Sequence, residues 1–313
     1  MNFTTVAAAP AASVPHRAAA DGIAEPGITR TQLARSFSRS VQSFRSEQPL
    51  SEDQMRQVAP SIFAADKHAS RSERYTYIPT IDILRGLRRE GFEAFMVAQG
   101  GSRVPGKAEY TKHLIRLRHQ GAHGQVINRR AEAPEIILIN SHDGASSYQM
   151  MGGMLRYVCL NGLVVGSNIQ DVRIPHKGHA RDQVVEGAFR VLEQFEQVDA
   201  SVAEMKALPL KPAEERAFAT AALALRFGER GEGQAPLPVT VEQVTAPRRA
   251  EDVGTDLWRG FQRIQEALLR GGVPGRSATG QRITTRPVQN IDRGVSLNRA
   301  LWVLAEEMRK LKA

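Results

Sequence analysis

The hydrophobic period of this chain changes near its middle, and that change limits the folds open to it. Between Phe92 and Val165 apolar residues fall in short runs with strand character: Phe92–Val97, Tyr110–His119 and Glu135–Asn140, parted by Gly, Pro and Asn. Within Lys112–His119, Leu114, Arg116 and Arg118 alternate with His113, Ile115, Leu117 and His119, which predicts basic groups on one sheet face and apolar bulk on the other. Gly152-Gly153 is expected to interrupt the next segment, and Asn161-Gly162 reads as a turn before Leu163-Val164-Val165.

Beyond Gly178 the spacing becomes three and four. Val184, Ala188, Val191, Phe195, Val198, Val202 and Met205 predict one long amphipathic helix over 181–208, stopped by Pro209 and Pro212. A second helix, Ala213–Phe227, ends at Gly228. A third is striped by Leu257, Phe261, Ile264 and Leu268 and closed by Gly271-Gly272, and a last begins with Ser296 as its cap. Upstream, Thr80 is expected to cap a short helix, Ile81–Arg89. The fold class is α+β: an antiparallel sheet in the middle of the chain packed by a long helix, then a helical C-terminal region. The expected organisation is a largely disordered Ala/Ser/Arg-rich arm (1–50) with at most a short helix over 33–44, an α+β core (51–228), a linker (229–250) and the helical C-terminal region with a basic loop (251–313).

Charge then narrows the ligand class. The net charge is +9, but Arg103–Arg130 holds seven Lys/Arg against one acid, and Arg270–Arg299 holds six Arg against one acid. Two basic stretches on a near-neutral body suit a polyanion. The residues expected to follow phosphates are Arg103, Lys107, Lys112, Arg116, Arg118, Arg129, Arg130, Arg156, Lys177, Arg276, Arg282 and Arg286, with Tyr110 and Tyr148 as candidates for base stacking. For Arg156, inside an apolar stretch, pairing with an acid is an equal alternative.

Motifs for chemistry do not assemble. Ser141-His142-Asp143 are sequence neighbours, whereas a triad gathers distant residues. His176 and His179 have no thiol or carboxylate beside them to complete a metal site. Gly275–Arg282 echoes a phosphate loop, but Gln281 and Arg282 replace its Lys and Ser/Thr, and a helix precedes it. Cys159, the single cysteine, reads as a buried inert thiol. The expectation is a non-enzymatic protein without metal or cofactor. No apolar run reaches the roughly 18 residues of a membrane span, and no secretory signal is legible, so a cytoplasmic setting is expected.

Ser141-His-Asp-Gly144, Ser147-Tyr-Gln149 and Arg156-Tyr-Val-Cys-Leu-Asn-Gly-Leu-Val-Val165, with Met205–Leu210 and Leu297–Trp302, resemble the phage- and plasmid-borne family known as domain of unknown function 932. That resemblance spans roughly residues 75–313 and implies a mobile-element setting. Taken with the charge, it leads to the expectation of single-stranded DNA binding or annealing in replication or recombination, with homo-oligomers possible. The alternative is an anti-restriction or other host-defence antagonist acting by protein binding.

Overall fold

The computed structural model describes residues 36–37, 41–68, 77–102, 104–120, 132–157, 161–166, 172–174, 180–229 and 234–313. Its centre is an eight-stranded antiparallel sheet. Strands β1 (Ser36–Phe37), β2 (Val41–Arg45), β3 (Phe92–Gly100), β4 (His113–His119), β5 (Glu132–Asn140), β6 (Tyr148–Arg156) and β7 (Asn161–Val164) lie side by side in chain order. Strand β8 (Val172–Ile174) pairs with the start of β6. Both antiparallel sheet and C-terminal helices are therefore present.

Within the sheet, three segments depart from the sequence expectation. Val41–Arg45 is a strand along β3, not part of a disordered arm or a helix, because Phe44 buries against the core. Gly152 and Gly153 do not break β6; both pair with β5. Asn161-Gly162 is not a turn but pairs with Arg156 and Leu155 as the start of β7.

Helix α1 (Glu52–Val58) starts with a capping box between Ser51 and Gln54. In α2 (Thr80–Arg89) Pro79 holds the N-cap position and Thr80 is buried instead of capping. The Thr80 hydroxyl meets Nε2 of His113 at 3.0 Å, Nε2 of His142 at 3.1 Å and Nδ2 of Asn140 at 3.0 Å. His113 Nδ1 lies 2.9 Å from Ser61 Oγ, which donates to Gln99 Oε1 at 2.7 Å. The single long helix expected over 181–208 is two, α3 (Ala180–Glu193) and α4 (Phe195–Ala207), broken at Gln194. The whole expected stripe from Val184 to Met205 is nonetheless buried.

Helix α5 (Pro212–Phe227) follows. The expected linker holds a short capped helix, α6 (Val241–Thr245), that buries Val244. Helix α7 (Leu257–Arg270) is buried nearly all round, and α8 (Ile291–Lys312) starts five residues before Ser296, with Asn290 as its cap. Between them, β9 (Pro274–Arg276) and β10 (Arg282–Thr284) form a hairpin. No described helix is long and apolar enough to cross a membrane.

Pleating divides the sheet residues into two sets. Phe92, Val97, Ile115, Leu117, Ile136, Leu138, Met150 and Leu163 face α1–α3 and share one cluster with the C-terminal helices down to Trp302 and Ala305. Ala98, Leu114, Ile137, Ile139, Met151 and Val164 face the other way and meet Ile291 of α8. Sheet and helices thus share a core. Phe261, in ring contact with Trp258 and Trp302, sits at its helical end. Phe261→Ala should cost about 3–5 kcal/mol. It should lower one common urea midpoint for near-UV and far-UV signals; two separated transitions would mean that helices and sheet unfold independently.

Candidate nucleic-acid interface

The sheet face opposite α1–α3 carries charge. Glu135 of β5 is fully buried, and three guanidinium groups close on it: Arg45 at 3.2 Å, Arg116 at 3.0 Å and Arg118 at 3.0 Å. Strand register brings Arg45 of β2 and Arg116 and Arg118 of β4 to the same face as Glu135. A bulge between Ala94 and Met96 leaves Phe95 stacked under Arg118 at 4.2 Å. Arg116 also donates to the carbonyl of Leu163 at 3.1 Å. Room for its side chain comes from two glycines: a Cβ on Gly162 would stand 2.6 Å from its Cζ, and one on Gly153 would stand 3.1 Å from its Nη1. Burial raises the Glu135 pKa, but the three arginines outweigh it and hold the carboxyl down at about 2. Burial lowers Arg45 to about 10, with Arg116 and Arg118 adding to the fall and Glu135 opposing it.

This geometry corrects several expected ligand contacts. Arg116 and Arg118 do share one face, but both are buried and bonded to Glu135, so they do not form an open basic surface. Tyr148 is fully buried, its hydroxyl donating to the Ile78 carbonyl at 2.9 Å, and no base can stack on it. Arg156 takes its structural alternative: buried, it pairs with Asp252 at 2.5 Å. Lys107 pairs with Asp143 at 3.1 Å, and Lys112 with the exposed Asp292 at 2.7 Å. Tyr110 is half-buried, with the His68 ring edge-on at 5.2 Å. Arg103, Arg129, Arg130 and Lys177 lie outside the described residues, as do Cys159, His176 and His179.

Ser141, His142 and Asp143 do not form a triad: Ser141 also bonds the Asp143 carboxylate, but His142 lies apart from both. Ser141 Oγ holds the Ser146 N–H, His142 turns to Thr80, and Asp143 faces Lys107 and the Ala145 N–H. Among the described residues no group of three or more His, Cys, Asp or Glu could hold a metal ion.

Part of the second basic stretch stays open, although Arg270 pairs with Glu266 and Arg299 reaches Met151. Arg276, Arg282 and Arg286 are exposed, and Arg276 and Arg282 stand opposite each other across the hairpin. Among the described residues no carboxylate pairs with these three or with Arg293. Arg226 of α5, which charge clustering in sequence missed, joins them: it donates to the carbonyls of Leu268 and Arg286, and Arg293 donates to its own carbonyl. Burial and the neighbouring Arg293 lower the Arg226 pKa, as expected where like charges gather. The two basic stretches meet at Lys112–Asp292 and along a cleft of about 430 Å³ between sheet and α8. Met96, Leu114 and Arg116 line it on one side, and Arg270, Asn290 and Ile291 on the other.

Removing the one acid from three buried cations should be severe. Glu135→Gln is expected to cost about 3–5 kcal/mol in urea melts. Because folding lowers this carboxyl from 4.5 to about 2, its stabilisation, on the order of 3 kcal/mol, is complete above about pH 4.5 and is lost as pH falls toward 2. Subtracting the Glu135→Gln pH profile from the wild-type one should therefore leave a slope confined to that acid window. A difference flat across it would mean that the carboxyl is not held by the arginines.

Comparison with known proteins places this arrangement. No solved structure matches the chain. It is 49% identical over 278 residues to the UPF0380 protein YafZ of Escherichia coli strain K12, covering 89% of this chain and 98% of that one. It is 50% identical to YfjQ of the same organism, also over 278 residues and with the same coverage. Residues 67–302 match the family described as domain of unknown function DUF932, which takes in the ionic cluster from Arg116 to Glu135, the hairpin and the first half of α8. The chain belongs to the DUF932 family.

Proposed function

We propose that this protein binds nucleic acid, single strands in preference to duplex, along the open arginine edge formed by the β9–β10 hairpin and the start of α8. One observation carries the reading. Arg276, Arg282, Arg286 and Arg293 are exposed within one short stretch of chain, and no carboxylate among the described residues neutralises them. Guanidinium groups in that state suit phosphate oxygens, which they grip with two parallel hydrogen bonds. Ile283 is exposed between Arg282 and Thr284, so an apolar contact is available beside the charges. The preference for single strands rests on the adjoining cleft of about 430 Å³, the size range of small-ligand pockets, which an unpaired base can enter more readily than a paired one. In the setting implied by the resemblance to phage- and plasmid-borne proteins, such binding would serve replication or recombination of a mobile element, without chemistry on the DNA.

Fluorescence anisotropy with a labelled oligonucleotide across a salt series tests this. Each phosphate neutralised contributes about −0.7 to the slope of log affinity against log salt on a single strand. Replacing Arg276, Arg282 and Arg286 together by Gln should therefore flatten that slope by about 2 and weaken binding to unrelated sequences alike. Unchanged affinity in the triple variant, or duplex bound as tightly as single strand, would overturn the reading.

A further inference from the structure

The cleft between sheet and α8 holds a charged side chain whose bonding is incomplete. Arg116 is 6% exposed, yet only its Nη1 is engaged, by Glu135 and the Leu163 carbonyl. Its Nη2 and Nε have no hydrogen-bond partner among the described residues, while the side chain lines the cleft. These donors are not sealed from solvent, so an acceptor entering the cleft can reach them. The charge balance points the same way. Glu135 offsets one of the three cations around it, so the ionic cluster to which the cleft-lining Arg116 belongs carries an excess of two positive charges. The first turn of α8, a 22-residue helix, borders the same space through Asn290 and Ile291 and adds the positive end of its dipole. Met96, Leu114 and Val164 from the sheet and Val295 from the helix add aliphatic wall, while Arg270, Gln289 and Asn298 add polar groups. A volume of about 430 Å³ lies within the range of pockets that enclose a small ligand.

We propose that this cleft is a nucleotide pocket, in which the free edge of Arg116 receives a phosphate oxygen of one nucleotide and the aliphatic walls enclose its base and sugar. The assignment deepens the nucleic-acid reading and rests on it for the class of ligand. Gly153 and Gly162 then have a role in binding as well as packing. By leaving the sheet surface bare they let Arg116 lie flat with one edge in the ionic cluster and the other toward the cleft.

The test uses the full chain labelled with ¹³C at methionine methyls and titrated with thymidine 5′-monophosphate. Met96 lines the cleft, while Met205 lies in the core among the helices and serves as control. Saturable movement of the Met96 resonance without movement of Met205 is expected, with thymidine lacking phosphate at least about tenfold weaker. Gly294→Leu should abolish the response: Gly294 lines the cleft, and a Cβ there has no neighbour nearer than 3.9 Å, so the side chain can fill the space without breaking the helix. Ser43→Leu at the sheet side of the cleft provides a second plug should the first misfold. A still Met96, a response that survives both plugs, or thymidine binding as well as its phosphate would each overturn the pocket. Oligonucleotide anisotropy on the same samples separates the two readings. If the wild-type chain binds single strands while Met96 stays still, the cleft assignment fails, and with it the cleft's part in the single-strand preference, while binding along the arginine edge stands. If the monophosphate fills the cleft while oligonucleotides do not bind, the pocket stands and the strand-binding reading falls.

Discussion

Three arginines around one buried carboxylate decide what the rest of this sheet can be. A guanidinium taken out of water needs a counter-charge, and Glu135 is the acid that Arg45, Arg116 and Arg118 share on that face. The arrangement requires β2, β3, β4 and β5 to lie side by side in one register, since a slip by one residue would turn every one of these groups to the apolar face. It also requires glycine at 153 and 162, because any Cβ there would meet the Arg116 side chain. Charge therefore fixes strand order, and strand order fixes where the cleft opens.

The same logic ties sheet to helices. Arg156 at the end of β6 reaches Asp252 in the turn before α7, and the Trp258 indole donates to Glu132 at the start of β5, 3.2 Å away. Arg249 pairs with Glu266 beside them. With the apolar core running from Phe44 to Ala305, these buried polar ties make the C-terminal helices part of the sheet's packing. The cleft exists because α8 crosses from that core onto the charged face.

Sequence reasoning reached the elements whose signal is local. The stripe on α7 and the proline-to-glycine span of α5 could be read directly, since each depends on spacing within one helix. What it missed depends on partners far along the chain. Val41–Arg45 looks like unordered arm because the strand beside it, β3, begins near residue 92. Gly153 and Gly162 look like punctuation because the side chain that needs their space lies on β4. Charge counting found the open arginines of the hairpin, with which no carboxylate pairs among the described residues. It failed for Arg116 and Arg118, whose acid is 19 and 17 residues away. Gln194 shows no local break signal either, and the stripe across it stays in phase with the core.

The contacts at Thr80 carry a direction. Gln99 gives its Nε2 hydrogens to the Ala108 carbonyl, so its oxygen accepts from Ser61, and the Ser61 oxygen must then accept from His113 Nδ1. For a neutral ring this leaves His113 Nε2 to take the single Thr80 proton, and His142 to offer its own Nε2 proton to the threonine oxygen alongside Asn140. Each imidazole is set in the opposite tautomer to its neighbour, so shifting a proton on either would oblige the Thr80 hydroxyl between them to rotate.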